Sequence, residues 1–226
     1  LQSPNAAVRY QAWDQLLHLG RHAEADLQRL WRNGEPRMRA RALHLLARIE
    51  GKGEQYLRQA RQDASPDIRI AALRIGRDIG QDMIPVIREM VSDASPQVRR
   101  ECALLLREFD SAEAATLWAE LAVQHDGRDR WYLEALGIGA RKHESACFKA
   151  WLSKAGGQWN TPAGRDIIWR SRAPEAAPCL AKLIMDPATS DRERARYFRA
   201  FDFIEGEEKE TALLGLLSAV TQQVFN

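Results

Sequence analysis

Cysteine is scarce: only Cys102, Cys147 and Cys179 occur in 226 residues. Three scattered thiols are too few for a disulfide scaffold or a thiolate metal site. Long apolar runs are missing too. The richest stretch, Thr211 to Val220, is about half of the ~20 residues a membrane helix needs. Neither charge dominates, since Lys+Arg total 33 and Asp+Glu 31, a net of +2. That balance excludes a supercharged nucleic-acid binder and an acidic disordered tail. No signal-peptide pattern is read within these residues, and no Cys-x-x-Cys-His haem motif or strand-linked glycine-rich phosphate loop occurs among them. What remains is a 45% hydrophobic chain, able to build a sizeable core in one large domain or two small ones. It opens on Leu1 rather than Met, which reads as a piece of something longer.

What the sequence does contain is a repeat. Val8-Arg9, Met38-Arg39, Ile68-Arg69 and Val98-Arg99 follow one another at intervals of 30 residues. Four positions further on stand Ala12, Ala42, Ala72 and Cys102, all small. Leu16, Leu46, Gly76 and Leu106 follow, then Leu19, Ile49, Ile79 and Phe109. Relative positions 0, 4, 8 and 11 make one stripe of an α-helix, not the alternation of a strand. The other half of the period carries Leu27, Leu57, Ile87, Leu117 and Cys147 in its own register. Trp118 and Phe148 are likewise 30 apart, as are Leu121 and Trp151. Each unit is therefore a pair of short amphipathic helices. The expected fold is all-α, an α-α superhelix (solenoid) of about seven helix pairs, the first without its leading helix. Residues 1–226 are expected to form a single array, regular over 1–125 and irregular over 126–226.

Turn chemistry follows the same period. Asp63-Ala64-Ser65-Pro66 and Asp93-Ala94-Ser95-Pro96 place a serine expected to cap each helix before a proline at the first helical position. Ser3-Pro4 and Gly34-Glu35-Pro36 are looser versions, and Gly20, Gly51 and Gly80 stand where helices should end. The pattern Asp-x-Ser-Pro-x-(Val/Ile)-Arg before an alanine-bearing apolar helix resembles HEAT repeats, in particular the short repeats of phycobilisome lyases. The resemblance implies that Arg9, Arg39, Arg69 and Arg99, with Asp63 and Asp93, form a structural ladder bonding along the stack.

Beyond Val123 the register frays. The segment from Asp126 to Leu136 replaces the next loop and helix but lacks Ser-Pro. A helix is expected around 145–153, a glycine-containing loop to Pro162, and a short irregular helix over 166–172. Further helices are expected over 174–185, 191–203 and 207–220. Leu180, Leu183 and Ile184 recur as Leu213, Leu216 and Leu217, and Tyr197, Phe198 and Phe201 should share an apolar side.

Catalytic patterns are weak. His18 and His22 have the spacing of paired metal ligands, but Gly20 interrupts them and no glutamate follows His18. Cys147 lies near His143 and Glu144, yet it falls on the buried leucine column, so a core thiol is expected. No catalytic residue, metal ligand or cofactor site is assigned. Some HEAT-like arrays of this size are DNA glycosylases for alkylated bases, using an arginine-rich concave face with aromatic and acidic residues. Arginine supplies 27 of the 33 cations here. Yet the outward columns Gln11, Arg41, Ala71, Glu101; Asp14, His44, Arg74, Leu104; and His18, Arg48, Asp78, Glu108 mix their signs. Phosphate tracking needs aligned cations, which argues against nucleic acid as partner. The distinctive cluster is Arg130, Trp131 and Tyr132 with Trp159, Asn160, Arg165, Asp166, Trp169, Arg170 and Arg172. Aromatics with arginine are common interface anchors, so this cluster is the candidate binding surface for a protein partner or a neighbouring module.

The phrase Asp126–Ala140, with Ile168-Trp169-Arg170-Ser171-Arg172 downstream, resembles the HEAT segment of large bacterial multidomain proteins, the membrane-bound dehydrogenases or haem-binding cytochrome-like proteins. That resemblance implies redox chemistry in modules outside this segment, a scaffold role for the segment itself and an exported, periplasmic setting.

Overall fold

The computed structural model describes the backbone of residues 1–225 and side chains through residue 219. The side chain of Val220, part of the apolar run noted above, lies outside the described residues. Fourteen α-helices and four short 3-10 turns make up the described chain, and no strand occurs among the described residues. The fold is all-α. Contacts gather it into two compact units, Leu1–Cys102 and Ala103–Asn226.

The first unit holds α1 (Ala6–Leu19), α2 (Glu24–Asn33), α3 (Pro36–Leu46), α4 (Gly53–Arg61), α5 (Pro66–Asp78), α6 (Met83–Met90) and the start of α7 (Pro96–Leu106). The starts of α1, α3, α5 and α7 keep the 30-residue interval found in the sequence. Helix α2 packs on α3 and α4 on α5, while α3 also touches α5. Alternate helices thus line up in two layers, the arrangement of an α-solenoid. The shared interior is built from the two periodic stripes: Ala42, Leu46, Leu57, Ile68 and Ala72 are all buried. Fully burying a leucine or isoleucine contributes about 1.5–3 kcal/mol, so the stripes account for the layering. The stripe is incomplete at its ends. Val8, Leu19 and Ile79 are exposed, and α1 buries none of its residues.

The second unit contains the end of α7 and then α8 (Ala112–Ala122), α9 (Arg130–Gly139), α10 (Glu144–Ala155), α11 (Pro162–Arg170), α12 (Ala177–Met185), α13 (Asp191–Ala200) and α14 (Glu207–Phe225). Here α8 packs on α10 and α12 on α14, while α11 touches both α9 and α13. Two layers of alternate helices recur. Leu117, Trp118, Leu121, Cys147, Phe148 and Trp151 are buried, as their period requires. Helix α9 starts 34 residues after α7, four more than the repeat; α8 is longer than α6, and the loop before α9 is longer and contains Gly127 at φ +75°.

Several local expectations need correction. Ser65 occupies the cap position of α5, but its side chain caps nothing; instead the Asp63 carboxylate accepts the Ser65 amide at 2.9 Å. Asp93 does the same for Ser95 at 2.8 Å. The aspartate two residues earlier shapes the turn, as an Asx turn. Helix α1 is capped by Asn5, not Ser3. Helix α11 starts at Pro162 behind a capping Thr161, earlier and more regular than the expected 166–172 segment. Phe198 and Leu217 are exposed while Tyr197, Phe201 and Leu216 are buried, so the later stripes are narrower than expected. Glu101, assigned outward, is buried beneath the Arg74 guanidinium, which donates to its carboxylate at 3.0 and 2.7 Å.

Candidate functional site

The repeated arginine sits four residues after each helix cap, where its side chain reaches back over its own loop. Nη1 of Arg69 donates to the Asp63 and Ala64 carbonyls at 2.8 and 3.3 Å. Its other edge, Nε and Nη2, clasps the Asp93 carboxylate of the next loop at 2.8 and 2.7 Å. Arg39 likewise bonds Asp63, at 3.4 Å through Nη1 and more closely through Nη2, and donates Nε to the Trp31 carbonyl at 3.0 Å. Arg9 grips Ser3 and Pro4 carbonyls, and Arg99 those of Asp93 and Ala94. Two further arginines occupy the same position after the cap in the second unit. Arg165 reaches Asp186 of the following loop at 3.5 Å, and Arg194 holds the Asp186 carbonyl at 3.2 Å. The sequence period hides them because the loops there change length.

The remaining cluster residues separate by burial. Tyr132 is interior: its hydroxyl donates to the Leu121 carbonyl at 3.0 Å and its ring stacks on His125. Trp131, its neighbour on the helix, is 72% exposed. Arg165 also donates to Asn160 at 2.7 Å, which ties that residue to the loop. Trp159 is half-buried. Arg170 crosses α9 to donate to Glu134 at 2.9 Å. Gly137 makes room for it, since a Cβ there would stand 2.2 Å from the guanidinium carbon. Arg172 lies over the Phe203 ring at 4.3 Å, and burial, with Arg170 next in effect, lowers its pKa below the usual arginine value.

One groove of about 360 Å³ collects part of this cluster with residues that spacing did not single out. Asp166 is its centre. Its Oδ1 accepts from Arg196 at 2.7 Å and its Oδ2 faces His125 Nε2 at 3.3 Å. Burial pushes the Asp166 carboxyl up, but bonds from His125 and Arg196 outweigh that and hold it below the usual range. Arg196 in turn lies over Trp169 at 4.0 Å. Arg128, Arg130 and Leu133 complete the wall. The Arg128 guanidinium has no partner among the described residues, and Arg130 meets Glu134 only at 3.5 Å. Arg196 and His125 escape a sequence reading because they stand 30 and 41 residues from Asp166, in different elements. The adjacent Asp126-Gly127-Arg128 turn is the one local signal.

Among the described residues, no group of His, Cys, Asp or Glu is arranged to hold a metal ion, and no helix is long and apolar enough to cross a membrane. All three cysteines are buried and free. Burial pushes the Cys147 thiol up to about 12, far from the thiolate a nucleophile needs.

A family model for HEAT repeats matches residues 54–137. No curated protein and no solved structure gives a significant match. The matched stretch covers α4 through most of α9, so the similarity to HEAT repeats runs from the most regular repeats into the first irregular one.

Proposed function

We propose that residues 1–226 act as one non-catalytic HEAT-like array that binds protein through the second unit. The observation that carries this reading is the exposed Trp131, next on its helix to Arg130, together with a groove walled by Arg128, Arg130 and Trp169. An aromatic anchor with the uncommitted Arg128 and the loosely paired Arg130 is the composition of an interface centre. Arg165, Asn160 and Arg170 contribute by holding the loops in place, and Tyr132 by filling the interior. The test is Trp131→Ala combined with Arg128→Ala. Both side chains are exposed, so stability should move by less than about 0.5 kcal/mol. Capture of a partner that crosslinks to the wild-type groove should fall about thirtyfold or more, the loss of a hot spot worth ~2 kcal/mol. Undiminished capture would remove the groove from the proposal.

The narrower resemblance adds a setting: a segment of a bacterial membrane-bound dehydrogenase or haem-binding multidomain protein, with the partner being a neighbouring module. Reading the flanking coding sequence for a propeller or a Cys-x-x-Cys-His motif tests it.

A second reading, binding of alkylated DNA bases, is favoured by one observation: acid, aromatic ring and arginines share the groove. Against it, both oxygens of Asp166 are already engaged. Asp166→Asn should abolish release of methylated purines from alkylated DNA if that reading holds; absence of release by the wild-type chain removes it.

A further inference from the structure

The first arginine of the ladder, Arg9, stands without the carboxylate that Arg39 and Arg69 hold. Arg39 and Arg69 each present a guanidinium edge to an aspartate 24 residues later, Asp63 and Asp93. Arg9 stands at the same place after its cap, and its Nη1 grips the Ser3 and Pro4 carbonyls at 2.8 and 2.7 Å, as Arg69 grips its own loop. The residue 24 positions on is Asn33. Among the described residues, neither Nε nor Nη2 of Arg9 has a partner, and the Asn33 side chain makes no hydrogen bond. Helix α2 runs through Asn33, so the turn that would carry an acid is still helical there.

Arg9 and Asn33 both line a groove of about 1070 Å³ in the first unit. Arg29, Arg37 and Arg41 share the wall, against Asp26 and Glu35. Arg29 is paired with Asp26, and Arg41 donates to the Leu1 carbonyl at 2.5 Å. Arg37 is exposed and has no partner among the described residues. The half-buried Leu30 gives the groove a small apolar side, over the buried Met38. A guanidinium fixed by two carbonyls at one nitrogen is pre-oriented to donate two parallel bonds to a carboxylate. The volume and the apolar side suit more than a lone small anion.

We infer that this groove binds an acidic peptide segment, whose carboxylate takes the place on Arg9 that Asp63 and Asp93 fill on the neighbouring arginines. Arg37 adds a second contact to the same charge, and an adjacent apolar side chain lies on Leu30. The inference does not depend on the groove at Trp131.

The probe is a fluorescein-labelled peptide of alternating glutamate and leucine, read by anisotropy on the 226-residue chain, with the lysine–leucine peptide as its reverse. The glutamate peptide should bind and the lysine peptide should not. Inorganic phosphate at equal ionic strength should compete no better than chloride. Asn33→Asp supplies an internal acid to Arg9. It should raise Tm by about 2–4 °C, the shift for one added charge-assisted contact in a chain of this size, and weaken the peptide about tenfold or more. Gln2→Asp adds the same charge to the groove wall without reaching the rung, and should weaken binding clearly less. Arg37→Ala should weaken the peptide with no change in Tm, whereas Trp131→Ala with Arg128→Ala should leave it unchanged. No binding of the glutamate peptide overturns the inference. So do equal losses in Asn33→Asp and Gln2→Asp, or equally effective displacement by phosphate, which would mark a general anion site.

Discussion

Asp93 takes three donors into one partly sheltered carboxylate: two from Arg69 and the Ser95 amide. Burial raises its pKa, but the Arg69 and Ser95 bonds win and hold it below the usual carboxylate range. A depressed folded-state pKa means stability that is present above the unfolded value, near 3.9, and is lost as pH falls through the folded value. The same carboxylate sets the turn and joins successive loops, so Asp93→Asn should cost about 1–3 kcal/mol at pH 7. The gap between wild type and variant, measured by denaturant titration, should stay constant down to about pH 5 and narrow below pH 4. A gap unchanged at pH 2.5 would mean that the carboxylate charge is not what Arg69 holds. At this scale the sequence is partly misleading. It points to Ser65 and Ser95 as caps, because serine before proline is a familiar helix start. Choosing between serine and the preceding aspartate requires the direction of the Ser amide, which only the folded turn supplies.

Helix-to-helix spacing depends on positions where no side chain fits. Gly139, at the end of α9, faces the last turn of α7; a Cβ there would lie 2.1 Å from the Ala103 carbonyl oxygen. Backbone cannot swing aside as a side chain can. Gly139→Ala should therefore destabilise by about 1–3 kcal/mol, even though alanine is the better helix former by ~1 kcal/mol. Gly215 in α14 is the control, since a Cβ there meets nothing within 4 Å. Gly215→Ala should be neutral or stabilise by up to ~1 kcal/mol. Thermal denaturation of the two variants measures both; a stabilised Gly139→Ala would show that α9 and α7 do not hold this approach. The helices themselves are legible from sequence wherever loop length stays constant. Starts at 36, 66 and 96 follow directly from one period and a proline at the first helical position. Once the interval between the starts of α7 and α9 gains four residues, counting by 30 no longer locates Arg165 and Arg194. The same insertion obscures the regular start of α11, although Thr161-Pro162 repeats the cap-and-proline signal.

Across the chain, charge is organised by pairing rather than by patches. The 33 cations and 31 anions include the loop ladder, the Arg74–Glu101 pair under the helix surface and the Arg170–Glu134 and Arg196–Asp166 bridges. Mixed signs along the columns are visible in sequence, and they lead away from an aligned cationic stripe. Which arginines remain uncommitted is not visible there, because commitment depends on partners 20 to 40 residues away. Arg32, Arg141, Arg192 and Arg199 also lack a side-chain partner among the described residues, and Arg128 and Arg37 are the ones that stand in the two grooves described above. Two arginines in separate grooves are a poor match to duplex nucleic acid, which rewards many phosphate contacts at once and loses affinity steeply with salt. The array should therefore leave a short DNA duplex unretarded in gel-shift assays at about 50 mM salt, where a site with six or more phosphate contacts would bind strongly. Retardation whose logarithmic salt slope is about −5 or steeper would require an aligned cationic surface. It would shift the balance from protein partner to nucleic acid, with Asp166 and Trp169 as the first residues to test in that role.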